Sequence, residues 1–147
     1  MNEVDLAEFN RGLDELIDTI WLACAIDGEG CISLSKSWQK TVNVTNTKYD
    51  FVEKAASIMN TGIDVHYNKG NRKTLYIAET SDRTKIVQLL ESVLPFLLIK
   101  EQHAKLMIEY CELRERYIHH QPREYEIYEE LKKLNKRGKT KEEVLLV

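Results

Sequence analysis

Asp27 and Glu29, each followed by a glycine, stand at the foot of the apolar stretch WLACAI, residues 21–26. An exposed helix end carries such acids at little cost and uses them only as caps. A helix this apolar is destined for burial, and a buried carboxylate needs a partner. Hard oxygen donors suit a divalent cation such as Mg2+. The histidines and cysteines offer no competing metal chemistry. His119 and His120 are adjacent in a polar segment without further ligands, too few for zinc. Cys24, Cys31 and Cys111 are odd in number and lack metal spacing, which reads as reduced thiols in an intracellular protein.

The elements that position the two acids follow from periodicity. Leu13, Leu16, Ile17, Ile20, Trp21 and Cys24 fall at i, i+3 and i+4 spacing and predict a helix from about Leu13 to Ile26. Asp27-Gly28 is expected to end it, and residues 1–12 are expected as a flexible N-terminal segment. CISLSKS and KTVNVTN then alternate with period two, a hairpin with a turn near Lys36–Gln39. Tyr49 to Met59 predicts a helix. IDVHYNKGNRKTLYIAE predicts two strands around Gly70-Asn71, and counting outward from that loop pairs Val65 with Tyr76, His66 with Leu75 and Asp64 with Ile77. A helix capped by Ser81 runs to about Leu97, interrupted at Pro95-Phe96. Further helices are expected over about 100–117 and 125–134, with EEVLLV as a short last one. The order is α-β-β-α-β-β-α followed by helices. It implies an α+β domain spanning residues 1–147, with a four-stranded antiparallel sheet, helices on one face and a C-terminal helical extension over 118–147.

Composition sets limits on partners. The longest apolar run falls short of the roughly 18 residues that a membrane span needs, and the acidic N-terminus does not read as a secretory signal. The net charge of −3 hides an asymmetry. Residues 33–73 hold seven Lys/Arg against three Asp/Glu, a net of +4, which leaves −7 for the rest. A basic middle between acidic ends is what a phosphate-binding face needs, although ordinary solvated charge gives the same count.

LACAIDGEG, residues 22–30, resembles the signature nonapeptide of the LAGLIDADG homing endonucleases. Leu22, Ala23, Ile26, Asp27 and Gly30 are identical to it, while Gly28 for alanine and Glu29 for aspartate are conservative changes. The element order resembles the family's core as well, and LPFLLIKEQHAKL, residues 94–106, is similar to the segment that delivers an active-site lysine in single-motif members. The resemblance runs from about Leu13 to the C-terminal helices. It implies a site-specific endonuclease of double-stranded DNA that cuts each strand of a long, partly palindromic target.

One motif per chain implies that the second comes from a second subunit through a two-fold axis, hence a homodimer. Ile20, Trp21, Ala23, Cys24 and Asp27 are the expected interface residues, with Trp21 equally at home in the chain's own core. Facing carboxylates repel unless they share cations, so Glu29 and the Gly28 carbonyl are the expected ligands of Mg2+, for which Mn2+ would substitute. The resemblance assigns catalytic roles to Glu29, to Lys100 near the water or phosphate, and to Asn46 in ordering the water. Asp50 stands where relatives often carry a basic residue, and Cys24 where they carry glycine.

Direct readout of DNA needs side chains that donate and accept. The outward positions of the first hairpin, Ser33, Ser35, Ser37, Gln39, Thr41 and Asn43, supply these. Tyr67, Lys69, Arg72, Thr74 and Tyr76 would continue that surface, although Ile63 and Val65 of the same parity would be comfortable in a core. Lys36, Lys40, Lys48 and Lys73 are expected against phosphates. No small-molecule cofactor and no membrane contact is expected. Two rivals carry other functions. One is a catalytically silent nucleic-acid-binding relative or an intron-RNA maturase, which Asp50 and the low net charge favour. The other is an interaction protein whose acids only cap.

Overall fold

The structure, a computed structural model, describes residues 2–67, 69–70 and 73–136. Helix α1 (Glu3–Glu29) is capped by Asn2, whose side chain accepts from the Asp5 amide at 2.8 Å. Glu3 and Asp5 lie in its first turn, where negative charge complements the helix dipole. Residues 3–12, expected as a flexible segment, therefore continue the helix. Its final turns bury Leu22, Ala23, Ala25 and Ile26. The expected stop at Asp27-Gly28 is passed as well, since α1 ends at Glu29 and Gly28 is helical. The chain turns into the sheet at Gly30, where a Cβ would lie 2.7 Å from Ile26 Cα and 2.9 Å from the Asn43 carbonyl oxygen. Only glycine allows that approach of helix to strand.

Strands β1 (Gly30–Leu34), β2 (Lys40–Asn46), β3 (Ile63–His66) and β4 (Leu75–Thr80) form one antiparallel sheet in the order β1-β2-β4-β3. The register pairs Ile32 with Val42, Val42 with Thr80, and Val44 with Ala78. These residues and Leu34 are buried, so one face of the sheet packs beneath the helices. The expected pairs Val65–Tyr76, His66–Leu75 and Asp64–Ile77 are present, with Gly70 left-handed (φ 81°) in the connection.

Helix α2 (Tyr49–Met59) buries Val52, Ala55, Ala56 and Met59 on the covered face. Helix α3 (Arg83–Val93) is capped by Asp82 rather than Ser81, through the Lys85 amide at 2.9 Å. A 3-10 turn, Leu94–Phe96, leads to α4 (Glu101–Arg116), and α5 (Pro122–Leu134) closes the described chain. The expected final helix EEVLLV lies outside the described residues.

The first hairpin is held back against α4 and α5 by Trp38. This residue takes a left-handed conformation (φ 67°) at the turn and stacks on His120 at 4.2 Å, with Tyr125 edge-on at 5.1 Å. Beside this cluster Glu124 is fully buried and held by Arg114 Nη1 at 3.0 Å and by the Gln121 amide. Arg114 Nη2 donates to the carbonyls of Tyr117 and Ile118. Arg114→Met would strand the Glu124 carboxylate and should cost about 3 kcal/mol, read as a lower denaturant midpoint with an unchanged m-value.

Candidate active site and the outer sheet face

The end of α1 and the start of α4 are joined by Asp27. Its carboxylate accepts three consecutive amides, Leu98 at 2.8 Å, Ile99 at 3.1 Å and Lys100 at 2.9 Å. The Lys100 ammonium donates back to the Asp27 carbonyl at 2.8 Å. Both ends gain from this exchange. An acid satisfies donors at the beginning of α4, and a cation satisfies a carbonyl at the end of α1, each favourable to the helix dipole it meets. Asp27, expected at the interface of paired helices, is thus spent within the chain. It fixes Lys100 beside the last turn of α1.

Glu29, two residues on, is exposed and makes no hydrogen bond or ion pair among the described residues. Gly28 is also exposed, and a Cβ there would meet nothing within 4 Å. Glycine inside a helix costs about 1 kcal/mol relative to alanine, and nothing in the single chain explains its use. The pairing of Gly30 with Val44 brings Asn46, two residues further along β2, to the same end of the sheet as Glu29. Its Oδ1 accepts from the Lys48 amide at 2.9 Å, which leaves the amide nitrogen to donate. Lys48 and Asp50 are exposed at the start of α2.

No group of three or more His, Cys, Asp or Glu side chains able to hold a metal occurs among the described residues. One chain offers the Glu29 carboxylate together with the Gly28 carbonyl, which lies in the last turn where an α-helix leaves its carbonyls without intrahelical donors. These are hard oxygen donors that fit Mg2+ or Ca2+ as half of a ligand set. Of the remaining expected interface residues, Ile20 (38% exposed) and Cys24 are open on α1. Ala23 is not, being fully buried in the chain's own core. Trp21 packs on Phe51 of α2 at 5.2 Å, beneath the Lys54 ammonium at 4.8 Å.

The uncovered face of the sheet carries Cys31, Ser33, Thr41, Asn43, Thr45, Ile77 and Glu79 by alternation against the buried set. Ser33 and Thr41 join their hydroxyls across the strands at 2.8 Å, and Gln39 donates to Ser81 at 3.1 Å. Ser35 and Ser37 bond each other at the exposed turn, next to exposed Lys36.

The second hairpin corrects the expected surface. Tyr76 pairs with Val65 and Asn46, shares the covered face with Ala78, and meets Tyr49 edge-on at 5.2 Å. Thr74 shares its parity. The outward side chains are instead Asp64, His66, Leu75 and Ile77, missed because β-branched Ile63 and Val65 left the parity open. Tyr67, Lys69 and Lys73 are exposed beyond the strand ends, and Arg72 lies outside the described residues. Lys40 is also corrected. It shares the parity of Val42 and lines, with Trp38, Asp82, Arg83, Arg114 and His120, a cavity of about 460 Å3 on the helix side.

His103, on the first turn of α4 behind Lys100, is 8% exposed with Nδ1 unpartnered. Burial, then the nearby Lys100 charge, holds its pKa below the ordinary imidazole value of 6.5. The folded state therefore resists the proton, and this stabilisation is complete above the unfolded value. It declines as pH falls through about 6.5 toward the lowered folded value. Thermal melts between pH 7.5 and 5 should show that decline, and His103→Leu should flatten it.

No helix among the described residues is long and apolar enough to cross a membrane. No known family profile and no curated protein matches the sequence. Solved structures do. The homing endonuclease I-CvuI, in complex with its target in the presence of 2 mM Ca, superposes with a TM-score of 0.63 at 18% identity over 87% of each chain. An archaeal intron-encoded homing endonuclease, I-Vdi141I, complexed with DNA, gives a TM-score of 0.65 at 16% identity over 85% of this chain and 88% of the other. The chain, with its α+β architecture and four-stranded antiparallel sheet, has the fold of these homing endonucleases.

Proposed function

We propose that the protein is a homodimeric, site-specific endonuclease of double-stranded DNA that hydrolyses one phosphodiester in each strand with the help of divalent cations, Mg2+ in the first instance. The observation that carries this reading is the Asp27 junction. It spends one acid of the motif inside the chain, places Lys100 there, and leaves Glu29 exposed at the tip of α1. An interaction protein with capping acids would have no use for a second, unpartnered carboxylate at the same helix end as an anchored lysine. The solved structures of similar fold are DNA complexes, which supports DNA as the partner.

In this reading Glu29 and the Gly28 carbonyl of each subunit would hold divalent cations, and the same two groups of the opposite copy would complete the ligand set. A bound divalent ion lowers the pKa of a water and stabilises the attacking and leaving oxygens. The chain's own residues orient what reacts. Lys100 presents a positive charge near the phosphate, and the free amide nitrogen of Asn46 holds a solvent oxygen at the sheet end. Ser33, Thr41 and Asn43 offer donors and acceptors to base edges. Lys36, Lys48 and Lys73 meet backbone phosphates, each neutralised phosphate adding about −0.9 to the slope of log affinity against log salt.

A plasmid library carrying randomised sites of some 20 base pairs tests the proposal. A reproducible subset should be linearised with Mg2+ and left intact with EDTA. Selective binding of a site without any strand scission under Mg2+ or Mn2+ would overturn the enzymatic reading in favour of a silent binder.

A further inference from the structure

Every residue of α1 from Glu3 to Asp18 is exposed, and none of them belongs to the hydrophobic core of the chain. It nevertheless carries a continuous apolar stripe: Leu6 (50% exposed), Phe9 (59%), Leu13 (43%), Leu16 (45%) and Ile20 (38%). Their spacing of 3, 4, 3 and 4 places Leu6, Leu13 and Ile20 at position a, and Phe9 and Leu16 at position d, of a heptad. Exposed Ile17 and Cys24 flank the seam as it reaches the motif. An isolated helix of this length is marginal in water, and Gly12 in its middle weakens it further. The stripe needs a cover.

The charges say which cover fits. Glu8, Arg11, Asp14, Glu15 and Asp18 occupy b, c and f positions only, on the side away from the stripe. Across the seam of a parallel pair Asp5 would meet Asn10, and Gly12 would meet Ile17, so no like charges oppose each other. The polar side holds acids with Arg11 as the one base between Glu3 and Asp18, which an anionic membrane surface or DNA would repel. A second copy of this helix is the occupant that suffers no penalty.

We propose that residues 3–20 of α1 pair with the same residues of a second copy as a parallel, in-register, two-stranded coiled coil, a stalk that runs some 25 Å away from the acids. The inference rests on the homodimeric reading above, because direction and register follow from it. Two Glu29 side chains can meet only if both helices end at the same place, which makes the pair parallel. Beyond Ile20 the line leaves the heptad, because Ala23 at the next d position is buried in the chain's own core. It continues by steps of four through exposed Cys24 to Gly28, whose missing side chain the single chain does not require. The stalk adds association strength remote from the reacting atoms and holds the subunits in register before DNA arrives.

Sedimentation and crosslinking of the full chain test this. Leu6→Asp with Phe9→Asp should raise the dimer dissociation constant at least tenfold, yet Mg2+-dependent cleavage should return at protein concentrations above that constant. Since both residues are exposed and lie outside the core, the thermal melt of the rest of the fold should remain. In a Cys24→Ser background, Leu6→Cys should oxidise to a disulfide-linked dimer. A dimer that cleaves DNA but neither weakens with the paired aspartates nor crosslinks at position 6 would overturn the stalk alone. A chain that stays monomeric, free and on DNA, would overturn both the stalk and the homodimeric reading.

Discussion

Glu29→Gln is expected to reduce DNA cleavage by about 10^3-fold or more, equivalent to about 4 kcal/mol of transition-state stabilisation, while affinity for the target stays within a few-fold. The change keeps shape and removes one charge. Glu29 is exposed at the end of α1 and makes no hydrogen bond or ion pair among the described residues, so the variant should fold and melt as the parent does. What it loses is an anionic oxygen donor for a hard cation, which a neutral amide replaces poorly. Gel-shift titration in Ca2+ beside a cleavage time course in Mg2+ separates the two effects. Equal losses in both would mean that Glu29 serves binding and not chemistry.

Asp27→Ala should have the second largest effect, and a different signature. It removes the acceptor of three amides at residues 98–100 and lets the Lys100 segment drift. Hydrogen bonds to a charged group contribute about 1.5–3 kcal/mol each when buried. Leu98 and Ile99 are largely exposed here, so a total loss of about 2 kcal/mol is the expectation. Cleavage should fall about 10^2-fold from misplacement of the lysine by an ångström or so. Asp27→Asn keeps one acceptor oxygen and should lie between. Glu29→Gln lowers activity at constant stability, whereas Asp27→Ala lowers both.

The contrast between the two acids shows how far the sequence carried. Their spacing, the helix before them and the resemblance of residues 22–30 marked the candidate site, and the segment 94–106 marked Lys100, which the structure sets at the end of α1. The partner of Asp27 was not legible. A carboxylate that accepts amides 71 to 73 residues away leaves no local signal, and the motif alone suggested an intersubunit role. The β3–β4 register was readable because Gly70 fixes the loop and every pair follows by counting. Which side faced outward was not, since Ile63 and Val65 on one side and Leu75 and Ile77 on the other are apolar on both. Alternation sufficed for β1 and β2, where Ser, Thr and Asn oppose Ile, Leu and Val. Lys40 defeated it because the positive charge suggested solvent, whereas its parity turned it beneath the sheet. The first half of α1 was missed for a related reason. Its apolar residues do not pack on the chain, and a helix whose cover is another molecule reads as a loose tail.

Anomalous diffraction from crystals of the protein bound to its DNA target with Mn2+ tests the shared site most directly. Manganese peaks within about 2.2 Å of Glu29 carboxylates from both subunits and beside the scissile phosphates are expected. Peaks confined to one subunit's ligands away from the DNA backbone, or two Glu29 side chains far apart with no metal between them, would contradict it.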